Sequence, residues 1–288
     1  MGLEFGGDWT EQKLRCIEKY LSAYTIALKN RPFHKIYIDA FAGTGYRQIK
    51  RDNDSDDLLI PELAEEEPQK FQDGSAKISL GIVPNFDEYV FVEKDKTRYN
   101  ELLKLKNEYC HLNISLINGD ANTYIQNQLA NQNWSDNRRA VVFLDPFGAK
   151  VSWNTLRAIA ATEAIDLWYL FPVIAVQRML PEHGTLPKTW EDNLSDTFGT
   201  DEWKERFYKT DTNLFGNGQV SSKVASVKAI RSYAISRLAT LFPKVAENPL
   251  ALYNSKNSLL YLLCFAVSSP STKAQKLALK IANHILQS

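Results

Sequence analysis

The 288 residues carry 34 basic and 34 acidic side chains and a formal net charge of zero, so no global positive field advertises a polyanionic partner. With 44% hydrophobic and 24% charged residues, the composition is that of a soluble globular protein, either one large domain or a core with a substantial insertion. The start Met1-Gly2-Leu3-Glu4-Phe5 lacks the basic and apolar regions of a signal peptide, and no run reaches the roughly 18 apolar residues of a membrane span. A cytoplasmic location without membrane contact is the expectation.

In chain order, Asp8 to Lys13 predicts the opening of a helix with Asp8 or Thr10 as its cap. Leu14, Ile17, Tyr20, Leu21, Tyr24 and Leu28 recur behind it at helical spacing, and Asn30-Arg31-Pro32 ends the run. His34 to Asp39 reads as a strand with apolar Ile36 and Ile38, followed at once by Ala40-Phe41-Ala42-Gly43-Thr44-Gly45. Glycines at that point let the backbone turn with positive φ and pass close to a ligand without a Cβ in the way. Arg51 to Asp73 reads as an acidic, solvated loop. Its acids lack the central Gly and terminal Glu of a twelve-position calcium loop, so no metal is expected there.

Asp73-Gly74-Ser75 predicts the cap of a helix through Ile78 and Leu80. A strand Glu88 to Val92 ends at Glu93, a helix follows from Asp95 to Leu105, and a strand Asn113 to Ile117 ends at Asn118-Gly119-Asp120-Ala121. After a helix bearing Tyr124, Ile125 and Leu129, the almost wholly apolar Ala140 to Leu144 suits the centre of a parallel sheet and ends in Asp145-Pro146-Phe147-Gly148. A helix from Trp153 to Ala161 leads to the strand Ala164 to Phe171, closed by Pro172. This strand-turn-helix alternation specifies a doubly wound α/β sheet with right-handed crossovers. From Val173 to about Pro249 the rhythm breaks into helices and loops, among them Lys188 to Thr197, Asp201 to Tyr208 and Ser221 to Leu241. Leu250 to Tyr253 and Leu259 to Val267 flank Asn254-Ser255-Lys256-Asn257 as a hairpin, and Thr272 to Leu286 is a last helix.

Four strand ends carry marked polar residues: Asp39 with its glycines, Glu93, Asp120 and Asp145. Parallel strands present such ends along one edge, where ligands of open α/β sheets sit. Each has a plainer reading. The glycine turn fits neither the dinucleotide fingerprint nor a P-loop. Glu93 could cap the next helix, and Asp120 could be a turn residue. Asp145 precedes a proline, which holds it extended and aims the acid out of the strand end. Cys16, Cys110 and Cys264 form no ligand spacing. Cys16 and Cys264 read as buried, inert thiols.

As a set, Asp39-Ala40-Phe41-Ala42-Gly43-Thr44-Gly45, Glu93, Gly119-Asp120-Ala121 and Asp145-Pro146-Phe147-Gly148 resemble class I S-adenosylmethionine-dependent methyltransferases. More closely the chain resembles the bacterial three-Cys-motif partner proteins, from about Thr10 to Leu286, including the opening helix with Lys13 and the Gly74-Ser75 turn. The three cysteines of that family's name belong to a partner protein. The resemblance implies a Rossmann-like, seven-stranded, mostly parallel sheet with a C-terminal β-hairpin. The core would be residues 1–172 and 249–288, with residues 173–248 as a helical insertion that serves substrate or partner. It also implies S-adenosylmethionine as cofactor, with its methionine end near Asp39, Phe41, Gly43 and Gly45, its ribose at Glu93, its adenine at Asp120 and the Ala121 amide, and Ser75 as a further cofactor-binding residue. Asp145, Pro146 and Phe147 would then be catalytic, as in amino-methyltransferases of nucleobases, where the carboxylate and the following carbonyl hold the target amine and an aromatic residue stacks on the base. Here the aromatic residue stands one place early and the second proline is missing.

The insertion interleaves Lys204, Arg206, Lys209, Lys223, Lys228, Arg231, Arg237 and Lys244 with Trp190, Trp203, Phe207 and Tyr208. Such a mixture suits a nucleic-acid surface, and solvated amphipathic helices produce it as readily. Two functions stand: a methyltransferase acting on a nitrogen of a nucleic-acid base or related acceptor, and a non-catalytic accessory subunit of the same fold that binds cofactor or a protein partner.

Overall fold

The computed structural model describes residues 9–42, 74–134, 137–146, 151–182, 186–212 and 219–287. Gly43, Gly45, Phe147, the cap candidate Asp8 and the acidic stretch 51–73 lie outside them. Helix α1 (Trp9–Leu28) precedes β1 (His34–Asp39), α2 (Ser75–Leu80), β2 (Glu88–Glu93), α3 (Lys96–Glu108) and β3 (Ile114–Asn118). Then come α4 (Ala121–Tyr124), which continues as a π-helical turn over Ile125–Leu129, β4 (Arg138–Leu144), α5 (Trp153–Ala161) and β5 (Ile165–Phe171). The later elements are α6 (Val173–Arg178), α7 (Lys188–Phe198), α8 (Trp203–Phe207), β6 (Tyr208–Thr212), β7 (Gln219–Lys223), α9 (Val227–Leu238), β8 (Lys244–Val245), β9 (Leu250–Tyr253), β10 (Leu259–Val267) and α10 (Thr272–Leu286).

The main sheet runs β3-β2-β1-β4-β5-β10, with β8 and β9 both on the outer edge of β10. Strands β1 to β5 are mutually parallel, and β10 is antiparallel to β5. The chain direction reverses order between β1 and β4, the point at which open α/β sheets form a crevice beyond their carboxyl ends. A Rossmann-like class I methyltransferase fold has this order, with the last strand inserted antiparallel beside the fifth.

Alternation along each strand divides the apolar side chains between two covered faces. Ile36, Ile38, Val142, Leu144, Leu167 and Tyr169 point to one side and pack with Phe198, Trp203, Phe207 and Tyr233 of α7, α8 and α9. Tyr37, Val141, Phe143, Trp168 and Phe265 point to the other, against Ile17, Tyr20 and Tyr24 of α1 and Ala278 and Ala282 of α10. Phe171 at the end of β5 lies 5.9 Å from Phe198 between ring centroids, so α7 shares the sheet's own core.

Several expectations are corrected in detail. Thr10 is the second residue of α1 rather than its cap. Within the segment expected to be helical, β6 and β7 form an antiparallel ribbon. The helix expected from Ser221 begins at Val227, where the Ser226 hydroxyl caps it by accepting from the Ala229 amide at 3.1 Å. The hairpin turn is as expected: the Asn254 side chain accepts amides of Lys256 and Ser258 at 3.1 and 2.7 Å, and Asn257 takes φ 57°. Among the described residues, no helix is long and apolar enough to cross a membrane.

Candidate functional site

The sheet order places the four acids in one row along its carboxyl edge: Asp120 after β3, Glu93 ending β2, Asp39 ending β1, and Asp145 after β4. The turn after β1 is held by its neighbours on both sides. Ala40 donates its amide to the Phe143 carbonyl at 3.1 Å, and Ala42 donates to the Val92 carbonyl at 3.0 Å.

Asp39 is 0% exposed. Its Oδ1 accepts the Phe41 amide at 3.2 Å, while among the described residues its Oδ2 finds no donor in hydrogen-bonding geometry. Burial pushes this carboxyl up to about 7; the nearby Ser75 hydroxyl offsets part of the rise and the Asp145 charge reinforces it. Ser75 is buried at the first turn of α2, behind the extended N-cap Gly74. An unsatisfied buried carboxylate oxygen at a ligand edge is complementary to a cationic group.

Glu93 is also buried, and burial raises its carboxyl from the ordinary range. Its Oε1 accepts the Asp95 amide at 2.7 Å, and its Oε2 lies 3.4 Å from Arg98 Nε. Asp95, not Glu93, caps α3 by accepting the Arg98 amide. Asp120 does take the cap role: its Oδ1 accepts from the Thr123 amide at 3.0 Å and the Thr123 hydroxyl at 3.3 Å. Ala121 follows as the first, buried residue of α4.

Lys13 is the residue that pattern reading left without a role. On α1 it falls in the stripe Trp9, Lys13, Ile17, Tyr20, Tyr24, all buried. Its ammonium lies 2.5 Å from Asp145 Oδ2, with side-chain exposures of 5% and 13%, and 5.1 Å from the Trp9 ring centroid. A lysine in an apolar stripe is a legible signal of a buried partner; which acid answers it is not. The pair pins α1 across the carboxyl end of β4, next to Asp39. Pro146 follows Asp145 directly.

The cysteines match expectation. Cys16 and Cys264 are buried and Cys110 is exposed; burial raises the Cys16 thiol and pushes Cys264 up to about 12.

Comparison with protein-family models finds no match, and neither does comparison with curated proteins. Among solved structures, the chain is similar to protein LPL1258 from Legionella pneumophila, at 14% identity, over 98% of this chain and 93% of that one, with a TM-score of 0.47. It is also similar to an S-adenosylmethionine-dependent methyltransferase from Clostridium acetobutylicum, at 10% identity over 87% and 91% of the two chains, TM-score 0.36. A third likeness is to the plantazolicin methyltransferase BpumL in complex with SAH, at 10% identity over 91% and 85%, TM-score 0.35. At these identities the likeness concerns chain path, and the strand order itself defines the fold class.

Proposed function

We propose that the chain is an S-adenosylmethionine-dependent methyltransferase acting on a nitrogen of a nucleic-acid base or a related acceptor. The observation that carries this reading is the row Asp120, Glu93, Asp39, Asp145 along the carboxyl edge, with the buried Asp39 Oδ2 without a donor among the described residues. The cofactor fits that row: its ammonium or sulfonium charge answers Asp39, its ribose diol answers Glu93, and its adenine amine answers Asp120 beside the Ala121 amide. The backbone from Phe41 through Gly43 and Gly45, with Ser75, would border the methionine moiety. Glu93 Oε2, 3.4 Å from Arg98 Nε, would share its lone pairs between Arg98 and the ribose.

When bound, the cofactor supplies a methyl group on a positively charged sulfur. The chain's own task is to aim a nitrogen lone pair at that methyl. In this reading the Asp145 carboxylate and the Pro146 carbonyl accept hydrogen bonds from the acceptor amine, and Phe147 packs on its ring. Orientation of this kind supplies much of the rate without a covalent intermediate. Lys13 holds one Asp145 oxygen, which leaves the other to receive the amine. Residues 173–248 form the substrate or partner subdomain.

A second reading rests on the same ion pair. With Lys13 already seated on Asp145, the carboxylate is partly spent on structure, as suits an accessory subunit that binds cofactor or a protein of the three-Cys-motif type. Incubation with radiolabelled S-adenosylmethionine and pools of DNA, RNA and protein separates the two. Label transferred to any pool by the parent chain and not by Asp145→Asn supports the enzyme; no transfer by folded, cofactor-binding protein supports the accessory subunit.

A further inference from the structure

A cavity of about 160 Å³ opens at the edge of the sheet opposite the row of acids, by the amino ends of β4 and β5, between α1 and α10. Its volume is close to the roughly 150 Å³ of an apolar void that accepts a benzene ring. Tyr20, Tyr24, Phe33, Leu277 and Ala278 supply apolar wall, and Asp166 is the acid in it. Asp166 has no part in the site described above.

Asp166 reaches this wall because it is in register with Val141 on β4, whose side chain packs on the α1 face of the sheet. The Tyr20 hydroxyl donates to its Oδ2 at 2.7 Å, which fixes the carboxylate. Among the described residues nothing donates to Oδ1, and Asp166 is only partly covered, so Oδ1 is the acceptor that a ligand in the cavity meets. Burial pushes this carboxyl up to about 7, and the Tyr20 hydrogen bond and then the Arg139 charge offset part of the rise. Above that pH Oδ1 is an anionic acceptor in an apolar setting, where an unanswered lone pair is most costly.

The walls set the shape and charge of what fits. Tyr20 and Tyr24, one turn apart on α1, have ring centroids 6.1 Å from each other. The Arg139 guanidinium also lines the cavity, over the Phe33 ring at 4.7 Å, and it keeps its charge whatever else it binds. In so small a space a cation meets Arg139 and an anion meets Asp166, each a like charge at short range. A neutral ring meets neither penalty, packs on the aromatic walls and needs one O–H to answer Oδ1. From this juxtaposition, a ring-sized apolar cavity with one carboxylate oxygen open to it, we infer that the cavity binds a neutral single-ring phenol whose O–H donates to Asp166. The site is non-covalent and independent of the methyltransferase reading.

The test is calorimetry on the full chain at pH 8, with phenol, anisole, benzylammonium and benzoate as probes. Saturable binding of phenol is expected. Anisole keeps the ring and its oxygen but has no O–H, and it should bind about tenfold more weakly or worse, as should both charged analogues. In Asp166→Asn the amide oxygen still accepts from Tyr20 and the amide nitrogen faces the cavity as a donor, so the preference for phenol over anisole should vanish. Ala278→Leu, which fills the cavity from α10, should abolish phenol binding. No saturable phenol binding at millimolar concentration would overturn the inference. So would anisole or either ion binding as tightly as phenol to the parent chain, or unchanged phenol affinity in a thermally stable Ala278→Leu protein. Because the readout uses no S-adenosylmethionine, its failure leaves the function proposed above untouched.

Discussion

Lys13 Nζ sits 2.5 Å from Asp145 Oδ2 although 132 positions separate the two residues. This contact joins the first helix to the strand end on which the proposed chemistry depends. Both side chains are largely withdrawn from solvent, so each is the other's main compensation. Removing one partner of such a pair strands a charge and costs about 3–5 kcal/mol, whereas replacing both with neutral groups is far milder. Lys13→Met should therefore lower the urea midpoint sharply, and Lys13→Met with Asp145→Asn should recover much of the loss. Additive effects of the two single changes in a double-mutant cycle would contradict the pairing.

For the same reason Asp145→Asn is a better probe of catalysis than Asp145→Ala. The amide keeps an acceptor for Lys13 and loses the carboxylate charge. Transfer is expected to fall by about two orders of magnitude or more, with S-adenosylmethionine affinity nearly unchanged. Turnover equal to that of the parent would sink the role assigned to Asp145.

Asp39 carries a pH signature of known sign. Its carboxyl moves from 3.8 to about 7 on folding. Between those values the unfolded chain has released a proton that the folded chain retains, so this group makes stability fall as pH rises from about 4 to about 7 and stay level above. Asp39→Asn removes the penalty. Its melting temperature should exceed the parent's near pH 8, by an amount on the order of a few kcal/mol in stability, and the gap should close toward pH 4. A gap that widened on acidification would contradict the buried, undercompensated carboxylate.

Gly199 ends α7 with φ +68°, and a Cβ there would overlap the Trp153 ring. The same ring lies under Arg237, 4.8 Å from centroid to Cζ, and Arg237 Nε donates to the Phe198 carbonyl at 2.8 Å. Strain and overpacking thus combine, and Gly199→Ala should destabilise by about 2–5 kcal/mol. A thermal melt within a degree of the parent would show that the α5–α7 contact yields easily.

Thiol titration checks the burial of the cysteines. One thiol, Cys110, should react promptly with an aromatic disulfide in the native protein, and all three only after denaturation. Prompt reaction of two would mean that the α1 face or the β10 core opens.

Much of the α/β core was legible because its signals are local. Strand β4 is a continuous apolar run, and α10 is bounded as expected from Thr272 to Leu286, with the Ser271 hydroxyl at its cap. The row of acids followed from the rule that parallel strands share an edge. The ribbon of β6 and β7 escaped because Tyr208-Lys209-Thr210-Asp211-Thr212 has neither an apolar alternation nor a tight two-residue turn; Ser226, a good cap, was the available signal for where the next helix starts. The Lys13–Asp145 and Tyr20–Asp166 contacts escaped for a different reason. Periodicity reports which face of an element is buried and is silent about which distant side chain meets it. Glu93 and Asp120 were placed correctly on the edge, yet the partners that now hold them, Arg98 and Thr123, emerge only from the fold.

The most direct measurement is a calorimetric titration of the folded chain with S-adenosylmethionine and its demethylated product, repeated in buffers of different ionisation enthalpy near pH 7. Saturable binding of both is predicted, weakened in Asp39→Ala and Glu93→Ala, with proton release as the cofactor's charge draws Asp39 into its ionised form. A folded protein that binds neither compound would contradict the account at its centre.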